Sequence, residues 1–435
     1  MASEGHKGSE RTKSMAGLRR RLKQLRLTRI GPGLITGVAD DDPSGIATYS
    51  QAGAQFGLDM LWTMPLAYPL MSAIQSMCAE IGRVTGKGLA ANIKAKFPPI
   101  VLRSLVLLLL IANTLNIAAD VAAMGEVAEL VSGFDRHLMT AAFVTLTLLL
   151  QIFVPYHRYV FFLKWLTVSL LAYVAVLFMV HVPWATVATK TAWPALSLDF
   201  NTASMVVGIF GTTISPYLFF WQASEEVEDL RAKHGASLLT NPAAATRELR
   251  RIHWDTWTGM FYSDLTAYFI ILATAVTLHA SGITDIQTAS QAAGALKPLA
   301  GNFAFLLFAI GIIGVGLIGV PVLAGSAAYA LAEAMSWRSG LERKAHDARG
   351  FYSVIAVSVL SGLVIQYSPI TPMKALFWSA VINGIVAVPL MIVILLIATS
   401  TSVMGRFTSR RFIVVLGGIA TAIMAIAAAM MFVPS

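Results

Sequence analysis

Two short stretches of this chain set acidic or hydroxyl residues beside helix-breaking ones, within long apolar surroundings. The first is Gly37-Val38-Ala39-Asp40-Asp41-Asp42-Pro43-Ser44-Gly45, and the second is Gly211-Thr212-Thr213-Ile214-Ser215-Pro216. Three adjacent carboxylates are very costly inside an apolar helix, and Pro43 and Gly45 both disfavour continuing one. A break is expected there, facing a polar cavity or protein rather than lipid. Pro216 alone would fit an ordinary kink; beside the first stretch it predicts a second break. Carbonyls freed at two breaks are hard oxygen ligands, and a neighbouring carboxylate adds charge, so the pair suits a cation. Asp42 abuts the first break and is the expected direct ligand. Its competing role is to cap the half-helix that restarts at Pro43. The carbonyls of Ala39 and Thr212 and the hydroxyl of Ser215 are expected further ligands, with a bond back to its own helix as the alternative for Ser215. Gly45 and Ser215 are small, which leaves room for an ion that keeps part of its water, the habit of Mg²⁺. No Cys or Met adjoins either proline in sequence, and none of the 8 histidines lies in a break. Oxygen donors alone suit Mg, Ca and Mn rather than the later transition metals.

Further polar residues fall in apolar stretches. Asp40 and Asp41 point elsewhere on the helix and are expected to line an access path or hold water. Asn113, Asn116 and Asp120 share one helix face; a packing network is expected for the asparagines and a cavity-facing position for Asp120. Asp264 and Asn383 are similar cases. Gln222, Glu225 and Glu226 follow the second break toward the inner side, where the acidic pair is expected to draw cations into a vestibule. Glu228 and Asp229 read as a solvated helix end.

The elements that must position these residues follow from composition. Of 435 residues 56% are hydrophobic and 13% charged, against about 25% charged in ordinary soluble domains. Apolar runs long enough to cross a bilayer recur along the chain, which implies a polytopic all-α membrane protein. Hydropathy places spans near 30–57, 59–82, 100–131, 138–155, 159–182, 202–229, 256–280, 300–335, 351–367, 372–399 and 411–433. With the N-terminus inside, all but four of the 32 Lys and Arg residues (Arg136, Lys190, Lys297 and Lys374) fall on the cytoplasmic side. That bias supports eleven spans with the C-terminus outside, and it explains the net charge of +9 without a nucleic-acid patch. Residues 1–28 lack the apolar core of a signal peptide and read as a basic cytoplasmic tail, with an amphipathic stretch from Leu18 to Leu27 suited to anionic lipid. Cys78 is the sole cysteine, so no internal disulfide is expected.

The two breaks lie five spans apart. Spans one to five and six to ten (about 29–182 and 202–399) are then two repeats of odd span number, so the second must be inverted, with 411–433 as an added helix. That is the layout of secondary transporters whose site lies at the midplane between broken helices.

At this point the residues resemble the Nramp family of divalent metal transporters. Gly31-Pro32-Gly33, Asp42-Pro43 and Gln51-Ala52-Gly53-Ala54-Gln55-Phe56-Gly57 are similar to that family's first span and following turn. The resemblance implies a LeuT-like fold and metal uptake into the cytoplasm across the inner membrane. There are departures. The family's Asp-Pro-Gly-Asn reads Asp42-Pro43-Ser44-Gly45 here, and its Met-Pro-His reads Ser215-Pro216-Tyr217. The next family His falls at Gln222, and the third-span Glu linked to proton movement falls at Ala123, although Asp120 is retained. This pattern is similar to the Nramp-related magnesium transporters.

A thioether does little for Mg²⁺, so its absence weakens the bias against hard ions. Loss of the His and Glu removes proton carriers. The expected function is import of Mg²⁺, with Mn²⁺ also accepted. The alternatives are a proton-coupled Mn²⁺ or Fe²⁺ importer of the ordinary Nramp kind and a sodium-coupled symporter of organic solutes on the same fold. No metal-hydrolase, nucleophile-elbow or phosphate-loop motif points to an enzyme. No cofactor is expected apart from the transported ion, and no partner beyond that ion and the bilayer.

Overall fold

The structure, a computed structural model, describes residues 32–154, 166–194, 199–341, 343–365 and 370–432. The basic tail, Gly31 and the start of the expected fifth span lie outside the described residues. Among the described residues all regular structure is helical. The long helices are α1 (Pro32–Asp40), α2 (Pro43–Phe56), α3 (Thr63–Thr85), α4 (Pro99–Ser132), α5 (Arg136–Phe153), α6 (Phe200–Thr213), α7 (Pro216–Ala232), α8 (Ala245–Thr277), α9 (Ala304–Ala334), α10 (Arg349–Ile365), α11 (Pro372–Ala398) and α12 (Arg411–Met430). Seven helical stretches among the described residues are long and apolar enough to cross a bilayer, and α6–α7 together form one of them.

Local chemistry sets the ends. α4 starts with Pro99 in its first turn, where a missing N–H costs nothing. It stops at Gly133, whose φ of 74° is left-handed and free of Cβ strain. α6 starts at Asp199, whose carboxylate accepts from the Thr202 amide.

The two interrupted helices pack through glycine. α1 and α2 lie along α8, and α6 lies along α11. A Cβ built on Gly37 would stand 2.3 Å from the Gly259 carbonyl oxygen, and one on Gly211 would stand 2.0 Å from that of Ala380. In lipid there is little hydrophobic gain from helix association, so close backbone approach through small residues carries the packing. These contacts fix both interruptions against continuous helices. α9 runs along α4 and passes the first break, where a Cβ on Gly319 would lie 3.0 Å from Asp42 Cβ.

Candidate metal site

At the first break α1 stops at Asp40 and α2 restarts at Pro43. Asp42 is the N-cap, with an extended backbone. Its Oδ1 accepts from the Gly45 amide (2.8 Å) and the Ser44 hydroxyl (2.6 Å). The capping role is therefore real, but it occupies only one carboxylate oxygen. Oδ2 faces away from the helix end, 3.1 Å from Asn116 Nδ2 on α4 and 3.1 Å from the Tyr217 hydroxyl.

At the second break α6 stops at Thr213 and α7 restarts at Pro216. Tyr217, one residue into α7, reaches across to the first break. Its hydroxyl lies 3.2 Å from the Ala39 carbonyl oxygen as well as near Asp42, and its single proton serves one acceptor at a time. Thr212 closes the other side of the contact, since a Cβ on Gly45 would stand 3.1 Å from Thr212 Oγ1. The two interruptions therefore touch. Asp42, Thr212, Ser215 and Tyr217 are at most 1% exposed, so this contact is closed to bulk water.

Several expectations need correction. The Ser215 hydroxyl turns back onto its own helix, 2.8 Å from the Gly211 and 2.6 Å from the Thr212 carbonyl oxygens. Its single proton is shared between these two carbonyls, so the hydroxyl is directed at its own helix rather than at the first break. Gly45 does not open a roomy space: Thr212 and the Tyr49 ring, 3.3 Å from a built Cβ, fill its surroundings. Glu226 is no cation attractor. It is fully buried on α7, with Oε2 2.5 Å from Arg251 and 4.0 Å from Arg83. Arg83 also binds Asp229 (3.1 Å) and Glu248 (2.6 Å), so Asp229 belongs to the same network rather than to a solvated end. Asn116 is more than packing, because it contacts Asp42 directly and its Oδ1 accepts from Ser379 (2.8 Å). Asn113 does join α4 to α9, through the Leu323 carbonyl and Ser326.

The remaining expected residues are buried or half-buried. Asp40 and Asp41 share the Ser263 hydroxyl of α8 at 2.6 and 2.9 Å. Asp120 lies one turn beyond Asn116 and is fully buried. Gln222 Oε1 accepts from Thr36 (2.5 Å), tying α7 to α1. Glu225 is half-buried on α7. Asn383 lies fully buried one turn from Ser379 on α11. Tyr217 and Asn116 are the residues in contact with Asp42 that sequence reasoning missed. The shared face of Asn116 and Asp120 was visible, but the helix it faced was not.

Among the described residues no three His, Cys, Asp or Glu side chains gather as a metal-holding group. A cation at the meeting of the breaks would rely on the Asp42 carboxylate and neutral oxygens. Buried oxygens that lack partners are Thr212 Oγ1 and Asn383 Oδ1, which are neutral, and Asp40 Oδ1 and Asp41 Oδ2 of the preceding carboxyl groups. Each such atom costs about 1–3 kcal/mol unless water or an ion meets it. A thioether does approach from elsewhere in the fold, because Met124 Sδ and the Pro43 ring both flank Gly316.

The charged network gives a prediction for stability. Arg251→Leu leaves Glu226 buried beside only the more distant Arg83. It should destabilise the protein by about 3–5 kcal/mol, the usual result of breaking one side of a buried pair. Adding Glu226→Gln should recover part of that loss, which unfolding of both variants in detergent would measure.

Comparison with known proteins agrees with this architecture. Residues 33–434 match the family described as natural resistance-associated macrophage protein-like, Nramp. The divalent metal cation transporter MntH of Yersinia pestis (strain Pestoides F) is 28% identical over 312 residues, covering 70% of this chain and 72% of the relative. The Eremococcus coleocola manganese transporter superposes with a TM-score of 0.74 at 16% identity, over 92% of this chain and 85% of that one. MhsT, solved with L-phenylalanine, superposes at 0.64 with 12% identity, over 92% and 98% of the two chains. The fold is thus the all-helical LeuT-like membrane fold that the family resemblance implied. The chain belongs to the Nramp family.

Proposed function

We propose that this chain imports divalent metal cations, Mg²⁺ foremost and Mn²⁺ as well, by alternating access around Asp42 at the meeting of α1–α2 and α6–α7. Membership of a family of transporters, and relatives named for divalent metal and manganese transport, support the class of substrate. The observation that carries the ion preference is the donor set. Asp42, the Ala39 carbonyl, Thr212 and Tyr217 offer oxygen alone where the two breaks meet. Hard ions accept such ligands, and no sulfur is among these four donors.

An outer cavity of about 430 Å³ supports a path to this place. It is lined by Gln51, Gln55, Asp285 and Lys374, and it reaches Ala47, one turn along α2 from Pro43. On the opposite side the Gly33 amide donates to Asp255 (2.8 Å), holding the start of α1 against α8. The reading places the chain in the cell's inner membrane with the basic tail inside and the C-terminus outside. It treats 29–182 and 202–399 as inverted repeats, with 411–433 added. The membrane potential alone can drive entry, since two charges gain about 4.6 kcal/mol per 100 mV.

Ion competition in proteoliposomes carrying a lumenal pH dye tests the proposal. Excess Mg²⁺ should suppress Mn²⁺ uptake, with no acidification. Weak suppression with acidification would favour a proton-coupled Mn²⁺ or Fe²⁺ importer, and sodium-dependent amino-acid uptake would favour an organic-solute symporter. Met124 supplies an internal control. If the site is oxygen-only, Met124→Leu should leave the Mg²⁺/Cd²⁺ uptake ratio unchanged within about twofold. A large loss of Cd²⁺ transport would bring that thioether into the site.

A further inference from the structure

A second cavity, remote from the breaks, has the chemistry of a phospholipid site. It encloses about 890 Å³ between Tyr68 on α3, the first turns of α8 and the Phe407–Ile413 segment that leads into α12. Its walls are apolar and aromatic, with Trp254, Trp257, Phe407 and Phe412 among them. Trp254 and Phe412 are 70% and 65% exposed, so this groove opens sideways from the helix bundle. Tryptophan in that position is typical of the headgroup level of a bilayer.

Two arginines, Arg250 and Arg410, line the same groove. Three neighbouring basic groups on α8 are already committed. Arg251 pairs with Glu226, Arg247 pairs with Glu248, and His253 lies 3.2 Å from Glu80. The other Glu80 oxygen accepts from Ser409. Among the described residues no carboxylate pairs with Arg250 or Arg410. Two uncompensated guanidinium groups over an aromatic groove match an anion carrying an apolar tail. Isolated arginines at helix ends often snorkel toward water, but here both exposed side chains border one groove. Guanidinium is also the group best shaped for phosphate.

We propose that this groove holds one anionic phospholipid, its phosphate on Arg250 and Arg410 and its acyl chains against Trp254, Trp257 and Phe412. The lipid would staple α3 and α8 to the start of α12. The claim is independent of which ion the protein carries.

Native mass spectrometry and thermal unfolding of the full chain in neutral detergent test it, with phosphatidylglycerol, phosphatidylcholine or inorganic phosphate added. Phosphatidylglycerol should be retained as a single adduct and raise the unfolding midpoint, while the other two should do neither. In Arg250→Gln/Arg410→Gln retention should fall roughly thirtyfold, since a basic residue near an anionic surface contributes about one kcal/mol. That variant should keep the wild-type midpoint without lipid, and wild-type uptake in phosphatidylcholine vesicles, which separates loss of the lipid from loss of the fold. Equal retention of phosphatidylcholine, equal protection by free phosphate, or undiminished retention by the variant would each overturn the proposal. A variant that unfolds is replaced by Trp254→Ala, which keeps both arginines; unaltered lipid retention there would also contradict it.

Discussion

Asp42→Ala is expected to abolish divalent metal uptake while leaving the protein folded. Asp42 Oδ1 caps α2 through Gly45 and Ser44, and Oδ2 meets Asn116 and Tyr217. The substitution therefore removes both a cap and the one formal charge that reaches across to α7. The cap is worth about 1 kcal/mol, within what a protein packed this closely along α8 and α9 can absorb. The charge is a different matter, because the groups that Oδ2 meets, Asn116 and Tyr217, are neutral. Losing even an outer-shell partner of a metal ligand commonly costs 10- to 100-fold, so losing the carboxylate itself should lower initial uptake by at least about a hundredfold. Asp42→Asn separates the two roles, since a carboxamide oxygen still caps the helix. It should keep the wild-type unfolding midpoint and still fail to transport. Wild-type uptake in either variant would remove Asp42 from the site.

Ser215→Met should move selectivity toward Mn²⁺ and Cd²⁺ at the expense of Mg²⁺. Ser215 is the N-cap of α7 but its side chain makes no capping bond there. Its hydroxyl returns instead to the Gly211 and Thr212 carbonyls. The substitution thus leaves the restart of α7 intact, removes the hydroxyl that those two carbonyls share and adds a thioether. Ser215 is fully buried, so the larger side chain should also cost about 1–3 kcal/mol of stability. A soft contact worth about 1.4 kcal/mol corresponds to a tenfold change in relative affinity. Uptake of each ion in competition gives the ratio directly; an unchanged Mg²⁺/Cd²⁺ ratio would count against the role assigned to the missing sulfur.

Both interruptions were legible because their signals are local. Three carboxylates before a proline cannot sit in a continuous apolar helix, and α1 does end at Asp40. Pro216 marks the restart of α7 for the same backbone reason. The long apolar helices were legible from hydropathy, which needs no tertiary information. What sequence could not supply was which side chain crosses which gap. Tyr217 follows Pro216 and looks like an ordinary aromatic residue until the folded chain puts its hydroxyl between Ala39 and Asp42. Glu226 looks available until Arg83 on α3 and Arg251 on α8 close on it. Arg83 and Glu226 lie far apart in the chain, and no periodicity joins them. Gly45 was misjudged, and the two roles open to Ser215 could not be separated, for a related reason. Small residues signal close packing as readily as open space, and only the neighbours decide between them. Met124 repeats the point, since it lies distant from Pro43 in sequence and shares Gly316 with it in space.

Locating the ion tests the oxygen-only site most directly. Crystals or oriented particles of the protein loaded with Mn²⁺, examined by anomalous scattering, should show a peak about 2.0–2.6 Å from Asp42 Oδ2, the range of hard-cation oxygen bonds. The peak should lie between the ends of α1 and α6 and disappear when Mg²⁺ is in excess. A bound ion held elsewhere, or one that stays beside Asp42 in excess Mg²⁺ through a sulfur ligand, would contradict the oxygen-only site.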